Sequence, residues 1–567
     1  MHLGIDMGTS YTKIAALSQG EWLDLGQESI PSVAAYVPAT GKLYFGWLAL
    51  RLDEPSIEKA FFFKLDLKRY PHYYLGPYSL SQVIESFFAF LYHEYIAKQC
   101  PELHSLTLAV PNYFGLKARQ ILLEGARQVF GLREIYLLPE PLAALLAYNT
   151  LNPSCPLEGS VLSIDIGGGT TDFSFLDLAG QRQEMILESQ FQIGYDAFSG
   201  SELDQGIIRN IFFPLYHLQS GQTIPERFIS AKALNSFERQ LYQYWLVEAE
   251  KLKLEISQRG WAAFHLTDFF RGFSIHSHME QDSFLDCLEP IYNRLRLYCQ
   301  GILRDRATSL GLAGSQGWNL DAILLQGGAS QSPQVEEIIQ ECFPGIPLTK
   351  ANSINLVAQG LCYWKAYSHH RFSNLKTIYP FDFYQEVYDI KEGQSYLARI
   401  PFDTANLELD VDGRYPILSL LPPSELKIKE ENSFSLKIFE VAQGEGNTTS
   451  ERFQGMEAVL DLNWQGSHIP QHLKVYLNLA ESCLEASSEE LTLTRRETDF
   501  SLFPDWLNGQ LRSLEILKSY KYLNPHLIED LEACLKKAGE EMQFPYENHA
   551  EIVYYKLLCL LQILDSR

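Results

Sequence analysis

The sequence has few of the features that mark secreted, zinc-binding or membrane-spanning proteins. Its nine cysteines are scattered without any Cys-x-x-Cys pair, which argues against zinc and disulfide frameworks and favours buried thiols in a reducing compartment. No strongly apolar run reaches the roughly 20 residues that span a bilayer. The chain also begins directly with an apolar strand, which leaves no room for a signal peptide. We therefore expect a cytoplasmic protein without a membrane anchor.

Positive charge is also scarce. The chain has 46 Lys and Arg against 70 Asp and Glu, a formal net charge of −24, and such a balance repels phosphate backbones and anionic lipid. We expect neither nucleic acid nor a membrane as partner. Apolar residues are abundant, at 46% with 13% aromatic, which predicts ordered globular structure. A chain of 567 residues is too long for one core, so several domains are expected.

One segment occurs twice. Residues 3–17 (LGIDMGTSYTKIAAL) and 162–176 (LSIDIGGGTTDFSFL) agree at 6 of 15 positions without a gap. Each copy reads as an apolar strand ending in Asp, then a Gly/Thr/Ser turn, then a second strand. Glycines let a backbone approach an anion, hydroxyls add donors, and the carboxylates of Asp6 and Asp165 can hold the water shell of Mg²⁺. Either copy alone also fits an ordinary hairpin, but the matched pair indicates two phosphate loops.

Strands and helices alternate between the two loops, which predicts an α/β arrangement. From Gly200 to Gly314 the sequence predicts a mostly helical segment, with long helices at 240–259 and 282–310. A strand at 321–326 then leads into Gly327 and Gly328 and a further helix. Short alternating segments beyond about residue 370 predict a β-domain, and the pattern after residue 500 predicts helices.

Taken together, these segments resemble the 70-kDa heat-shock chaperones, the DnaK-like branch of the actin-like ATPase superfamily. The resemblance covers residues 1–370 and lies in five segments in the family's order: 4–10, 110–148, 165–172, 249–257 and 324–333. It implies an α/β, two-lobed actin-like ATPase domain with duplicated ribonuclease H-like lobes (1–370). A linker (371–385), a β-sandwich-like domain for substrate or partner (386–499) and a short, lid-like helical segment (500–567) would follow. An unrelated β-module stays open for 386–499.

The resemblance also implies a set of site residues. Asp6 and Asp165 would hold Mg²⁺ through water, and Glu140 and Asp172 would orient the attacking water. Lys64 would be the catalytic lysine, with Lys68 as a competitor for that role. The residues implied to hold the β- and γ-phosphates of ATP or ADP are Thr9, Ser10, Gly167, Gly168, Gly169 and Thr170. The resemblance also implies that the nucleotide is contacted by Gly8, Gly200, Gly327 and Gly328.

For the nucleoside, the resemblance implies a pocket that includes Glu250, Lys253 and Ser257, which share one face of a helix. The same face also fits an ordinary solvated surface. Gln331 stands where the family usually carries an arginine that stacks on adenine. Residues 352–354 (Asn-Ser-Ile) stand where the family has an Asn-Pro followed by an acidic residue that closes the pocket. We therefore expect reduced adenine selectivity, because an amide lacks the cation–π interaction of arginine.

The function implied is a slow, Mg²⁺-dependent ATPase of the chaperone type. Its nucleotide state would control how the C-terminal region binds a peptide or protein client, either one dedicated partner or many, with co-chaperones. An alternative is a nucleotide-switched assembly or scaffold protein of the actin-like group with a dedicated partner. A small-molecule kinase on the same fold is disfavoured, because no matching substrate-binding sequence is present.

Overall fold

The computed structural model describes residues 1–495 apart from several short stretches, and every structural statement below concerns the described residues. The stretches left out are 24, 26–28, 53, 55, 62, 70–73, 101, 112–113, 180–185, 196–197, 231–235, 310–319, 352–354, 372–375, 378–380, 390–393, 401–414, 417–427, 431–432, 443–459, 466–473 and 488–493. The helices predicted after residue 500 and the predicted pocket segment 352–354 lie outside the described residues.

The strands and helices alternate as the sequence predicts. The described strands are β1 (His2–Met7), β2 (Tyr11–Ser18), β3 (Glu21–Trp22), β4 (Ile30–Pro31), β5 (Ala34–Val37), β6 (Lys42–Phe45), β7 (Glu58–Ala60), β8 (Tyr74–Leu75), β9 (Tyr78–Ser79), β10 (Ser105–Val110), β11 (Ile135–Pro139), β12 (Gly159–Ile166), β13 (Thr171–Ala179), β14 (Ile186–Tyr195), β15 (Trp261–Phe270), β16 (Phe273–Glu280), β17 (Ala322–Gln326), β18 (Leu348–Lys350), β19 (Lys376–Thr377), β20 (Phe381–Asp389), β21 (Gln394–Ile400), β22 (Tyr415–Pro416), β23 (Ile428–Glu430), β24 (Ser433–Ala442), β25 (Leu460–Gln465), β26 (Lys474–Asn478), β27 (Cys483–Ser487) and β28 (Thr494–Arg495). The described α-helices are α1 (Gly46–Arg51), α2 (Phe63–Arg69), α3 (Leu80–Leu91), α4 (Leu116–Phe130), α5 (Glu140–Leu151), α6 (Gly200–Ile207), α7 (Phe213–Ser220), α8 (Glu226–Ser230), α9 (Ser236–Arg259), α10 (Gln281–Ser309), α11 (Pro333–Cys342) and α12 (Leu356–Arg371).

Two sheets in the first compact unit follow the same plan. This unit comprises Met1–Ile57, His93–Tyr113 and Leu132–Ile378. In one sheet the β1–β2 hairpin is antiparallel, and β10 and then β11 continue in parallel from β1. In the other sheet the β12–β13 hairpin is antiparallel, and β17 and then β18 continue in parallel from β12. The sequence repeat is therefore a repeat of structure, and the predicted duplicated α/β lobes are confirmed.

Helices α5 and α12 pack together in a buried core that includes residues from both sheets. Their contact is close because Gly360 has no side chain: a Cβ built there would lie 2.5 Å from the carbonyl carbon of Ala143. A Cβ on Gly4 would likewise lie 2.8 Å from the Cβ of Leu361. Small residues thus let α12 approach both α5 and the strand that carries the first loop.

The segment from Gly200 to Gly314, expected to be mostly helical, also contains a β-hairpin formed by β15 and β16. The hairpin packs on α9, where Phe269 stacks on Trp245 at 4.7 Å between ring centroids. Its turn places Arg271 and Gly272 at φ values of 52° and 77°, the left-handed conformation that Asn-Gly pairs usually provide. Because arginine takes the first of these places, the sequence lacks the usual hairpin signature.

The second compact unit comprises Glu58–Tyr92, Phe114–Gly131 and the chain from Tyr379 onward. Its β-rich part includes a six-stranded sheet in the order β21-β20-β24-β25-β28, with β23 on β24, and a three-stranded sheet in the order β22-β26-β27. The first of these strands, β20, begins at Phe381, inside the segment expected to be a linker. The four-part division of the chain made from sequence stays a prediction.

Helix α4 is held to this β-rich part at both of its ends. The Leu116 N–H at its start donates to the carboxylate of Glu440 on β24, at 3.0 and 3.2 Å. Near its other end, Arg127 forms two hydrogen bonds of 2.7 and 2.8 Å with Glu481, in the turn between β26 and β27. A carboxylate at a helix N-terminus satisfies backbone donors and interacts favourably with the helix dipole.

Candidate functional site

The first loop forms the turn between β1 and β2. Asp6, near the end of β1, is 6% exposed and Thr9 is 8% exposed. The Gly8 N–H donates to the Asp6 carbonyl at 3.1 Å, and a Cβ on Gly8 would collide with the Tyr11 carbonyl oxygen. Gly8 therefore allows the tight turn that places the side chains of Thr9 and Ser10 after the strand.

The second loop repeats this turn between β12 and β13. The Gly167 N–H donates to the Thr170 carbonyl at 2.9 Å, and Asp165 and Asp172 stand opposite each other in the hairpin register. The Thr170 hydroxyl donates to the Asp172 carboxylate at 2.9 Å. Two predicted site carboxylates thus lie on neighbouring strands at one loop, and Thr170 helps to orient one of them.

The two loops lie against each other within the first compact unit. A Cβ built on Gly168 would lie 3.0 Å from the Cβ of Ser10 and would collide with its Oγ. That separation is tighter than ordinary van der Waals contact, so a glycine is needed at this position. The structure therefore brings together the two repeats, which are more than 150 residues apart in the sequence.

A third glycine turn, after β17, joins the second loop. Gly327 has φ +91°, and a Cβ there would lie 2.6 Å from the carbonyl carbon of Ile166 and would collide with the Asp165 carboxylate. The Ser330 hydroxyl donates to the Gly327 carbonyl at 2.6 Å. Gly328 is exposed and has open space around it. The predicted contact residues Gly327 and Gly328 thus fall beside the second loop.

The start of helix α6 closes the other side of the second loop. The Gly200 N–H donates to the Gly167 carbonyl at 3.0 Å, and the Ser201 N–H donates to the Gly168 carbonyl at 2.8 Å. Lys253 on α9 donates to the Gly200 carbonyl at 3.2 Å and to the Asp204 carboxylate at 2.6 Å. Gly200 therefore connects the second loop with α9, and Lys253 supports this connection through an ion pair.

Burial raises the pKa of Asp204 to about 6, although the neighbouring Lys253 ammonium lowers it. Burial also raises the pKa of Tyr11, which follows the first loop, and the negative charges of Glu250 and Asp204 raise it further. Glu250 on α9 thus interacts electrostatically with a residue next to the first loop. Of the three residues predicted for the nucleoside, Ser257 is exposed and the other two are partly buried.

The edge of the first sheet carries Glu140. Strands β1, β10 and β11 are parallel, with Ile5 opposite Leu108 and Val110 opposite Pro139, so their carboxyl ends meet at one edge. Asp6 lies at the end of β1, and Glu140 begins α5 directly after β11. Ligands of open α/β sheets bind at such an edge. The predicted catalytic Glu140 is therefore on the same edge as the first loop.

Lys64 belongs to the second compact unit, where it lies on α2 and is 3% exposed. The side chain of its competitor Lys68 lies outside the described residues. The choice between these two lysines for the catalytic role stays a prediction. Gln331 is exposed, and its side chain donates to the Ala351 carbonyl at 3.3 Å.

Lys13 was missed by sequence reasoning although it is close to the first loop. It stands opposite Asp6 in the β1–β2 register, and its Nζ lies 3.5 Å from Asp6 Oδ2. The repeat itself held the signal, because Lys13 takes the place in the first copy that Asp172 takes in the second. Within the described residues there is no cluster of three or more His, Cys, Asp or Glu that could hold a metal ion directly.

Comparison with known proteins agrees with the resemblance found in the sequence. The sequence model of the family described as Hsp70 protein matches residues 93–366. Just under half of the chain therefore matches the Hsp70 family. Similar proteins include the chaperone protein HscA of Cronobacter sakazakii, 26% identical over 63% of this chain and 56% of that protein. The chaperone protein DnaK of Thermus thermophilus is 25% identical over 63% of this chain and 59% of its own length.

A further similar protein, the chaperone protein HscA homologue of Methylobacillus flagellatus, is 27% identical over 46% of this chain and 36% of its own length. The chain thus spans between about a third and three-fifths of the length of these curated relatives. Among the residues that the structure describes, we find no helix with the length and apolar character needed to cross a membrane.

Proposed function

We propose that the chain is a Mg²⁺-dependent ATPase whose two loops hold a single nucleotide between them. The observation that carries this proposal is the contact of Gly168 with Ser10, which brings the two halves of the repeat to one place. The residues suit a phosphate group there, since the loops combine glycines with the side-chain hydroxyls of Thr9 and Ser10. Such loops bind anions through backbone donors and hydroxyls.

In this proposal the loop residues divide into two groups. Gly8, Gly167 and Gly200 shape the loops, because their N–H groups donate within the protein. Thr9, Ser10, Gly168 and Gly169 contact the β- and γ-phosphates, and Thr170 does so through its backbone N–H because its hydroxyl donates to Asp172. The Asp6 and Asp165 carboxylates hold a hydrated Mg²⁺, which when bound would neutralise charge that develops on the phosphate oxygens.

Glu140 and Asp172 orient the attacking water. Asp172 fits this task because Thr170 fixes its carboxylate by a hydrogen bond of 2.9 Å, and Glu140 because it lies at the carboxyl edge of the first sheet beyond β11. Phosphoryl transfer requires mainly charge neutralisation and a nucleophile in line with the leaving group. No side chain needs to form a covalent bond, so turnover is limited by how well these groups are positioned.

We assign the nucleoside to the side of the second loop formed by α9, Gly327 and Gly328. Within α9 we assign the ribose hydroxyls to Glu250, which is partly buried and lies one helical turn from Lys253, the residue that donates to the Gly200 carbonyl. Lys253 is held by Asp204 and the Gly200 carbonyl, so we assign it to positioning the second loop. Gln331 would offer adenine an amide in place of an arginine, and we expect weak base selectivity.

We further propose that the β-rich part of the second unit binds a peptide or protein client under control of the nucleotide, with or without co-chaperones. The relatives named HscA and DnaK are chaperone proteins, and two-state coupling of nucleotide and client needs only that the client prefers one nucleotide state. The client is either one dedicated protein or many extended chains. A cytoplasmic location is also part of the proposal.

Single-turnover ATP hydrolysis tests this proposal. We expect slow hydrolysis with Mg²⁺ that is lost in Asp165→Asn and Glu140→Ala, with nucleotide binding retained in Glu140→Ala because its role is in the chemical step. Asp321→Asn is a matched control, since this exposed Asp precedes β17 away from the loops and accepts from the Ser160 N–H. Unchanged hydrolysis in both site variants would reject the assignment.

The same assay with an extended apolar peptide tests the client part. Acceleration by the peptide supports nucleotide-controlled client binding. Hydrolysis that is indifferent to the peptide, combined with light scattering that rises with protein concentration only when ATP is present, would instead support a nucleotide-switched assembly protein.

A further inference from the structure

Lys13 lies next to Asp6 at the first loop. When the sequences of the two hairpins are aligned, Asp6 matches Asp165 and Lys13 matches Asp172. In each hairpin the two residues stand directly opposite each other, Asp6 with Lys13 and Asp165 with Asp172. The duplicated site therefore has opposite charges at one equivalent position, a lysine in the first copy and a carboxylate in the second.

The Lys13 ammonium lies over the first loop. Its Nζ is 3.5 Å from Asp6 Oδ2, and it would be 3.8 Å from a Cβ built on Gly8. The Lys13 side chain is 22% exposed whereas that of Asp6 is 8% exposed, so the lysine is the more solvent-accessible member of the pair. A lysine side chain is long and flexible and acts as a point charge with three donors. The ammonium can therefore move from Asp6 to a nearby anion without a change in the backbone.

The negative charge of the carboxylates at the loops favours a cation beside a bound phosphate. Asp165 and Asp172 stand opposite each other at the second loop, which contacts the first loop through Gly168 and Ser10. The Lys253 ammonium donates to the Asp204 carboxylate and to the Gly200 carbonyl. A nucleotide triphosphate carries several negative charges, and its phosphates repel carboxylates unless cations lie between them. Hydrated Mg²⁺ held by the two loop aspartates supplies part of this compensation, and a mobile ammonium beside Asp6 would supply another part.

We propose that Lys13 binds the phosphates of the nucleotide and pairs with Asp6 when the site holds no phosphate. This proposal rests on the proposed function and adds a residue that the family resemblance did not indicate. The ammonium donates to an oxygen of the β-phosphate and leaves Asp6 to the hydrated metal. The first loop thus contributes the positive charge of the site, whereas the second loop contributes the carboxylate that orients water.

Equilibrium binding of ATP, ADP and adenosine, with Mg²⁺ and with EDTA, tests this role in the full-length chain. Lys13→Gln keeps a long polar side chain and removes the charge. We expect it to weaken ATP and ADP by about tenfold or more, the usual effect of losing a charge-assisted hydrogen bond, and to leave adenosine unchanged. The loss should be larger in EDTA, where Lys13 is the remaining counter-charge, and Lys13→Arg should restore most of the affinity.

Lys42→Gln is the matched control, because Lys42 is an exposed lysine on β6 of the same unit, and we expect it to bind all three ligands as the wild type does. A variant that loses adenosine together with ATP would show that Lys13 only maintains the loop through Asp6, and this would overturn the proposal. Wild-type affinity for ATP in Lys13→Gln would also overturn it. If the wild type itself binds no nucleotide, the proposed function fails first and the Lys13 assignment fails with it.

Discussion

Replacing Gly168 with alanine tests the contact that brings the two loops together. The new Cβ would lie 3.0 Å from the Cβ of Ser10 and would collide with its Oγ. Rotation of Ser10 relieves only the Oγ collision, because the Cβ is fixed by the backbone. Overpacking of this kind costs about 1–3 kcal/mol, so in a unit of this size we expect Gly168→Ala to lower the melting temperature by roughly 1–4 °C.

A double-mutant cycle identifies the source of this loss. Ser10→Gly removes both atoms that the new methyl group meets and by itself costs roughly 0.5–1 kcal/mol through backbone entropy. In the Ser10→Gly background, Gly168→Ala should therefore be nearly neutral, which gives a coupling of about 1 kcal/mol or more between the two sites. The assay is scanning calorimetry of the four proteins without nucleotide.

Gly328→Ala is the stability control, since Gly328 has φ −65° and ψ −42° and open space around it. Alanine adopts this conformation without strain, so we expect unchanged or slightly raised stability. If Gly168→Ala destabilises the wild type and the Ser10→Gly variant equally, the loops do not touch as described. That result would reject a nucleotide site shared by the two loops.

Two further changes test other parts of the structure. Glu440→Ala removes the carboxylate that caps α4 and should destabilise the protein by about 0.5–2 kcal/mol, whereas Glu440→Gln, which keeps one acceptor, should lose less; equal melting curves for all three proteins would contradict the cap. Burial raises the pKa of Asp204 from 3.8 to about 6, so the Asp204 carboxylate binds a proton more tightly in the folded protein than in the unfolded chain. Protonation of Asp204 therefore adds to the free energy of unfolding as the pH falls from about 7 to 4. The melting temperature of the wild type should therefore rise relative to that of Asp204→Asn as the pH falls over this range. A difference between the two melting temperatures that does not change with pH would contradict the raised pKa.

Much of the first unit could be predicted because its information is local. The repeat of strand, Asp, glycine turn and strand fixes each hairpin, and the alternation of strands and helices at Pro111 and Pro139 marks the parallel strands. The hairpin of β15 and β16 was missed because its turn uses Arg271 at a positive φ and because its outward-facing positions carry polar residues such as His265 and His276. Tertiary packing on Trp245, which the sequence does not reveal, stabilises it.

The site was predictable where chemistry follows from the order of residues and less so where it depends on long-range pairing. Asp6, Asp165 and the loop glycines were predicted from the repeat, and the structure brings their two loops together. The pairing of Lys253 with Asp204 joins residues 49 positions apart, so the sequence alone suggested a nucleoside contact for Lys253. The position of Lys13 beside Asp6 was not predicted, although the equivalent position in the second copy is Asp172.

We propose that the two loops form one nucleotide site and not two. Isothermal titration of Mg-ATP tests it most directly, with the wild type compared with Ser10→Leu in the first loop and Gly168→Val in the second. We predict one nucleotide per chain, with binding lost or greatly weakened when either loop is changed. Two nucleotides per chain, or one nucleotide that still binds normally after either loop has been disrupted, would contradict the account.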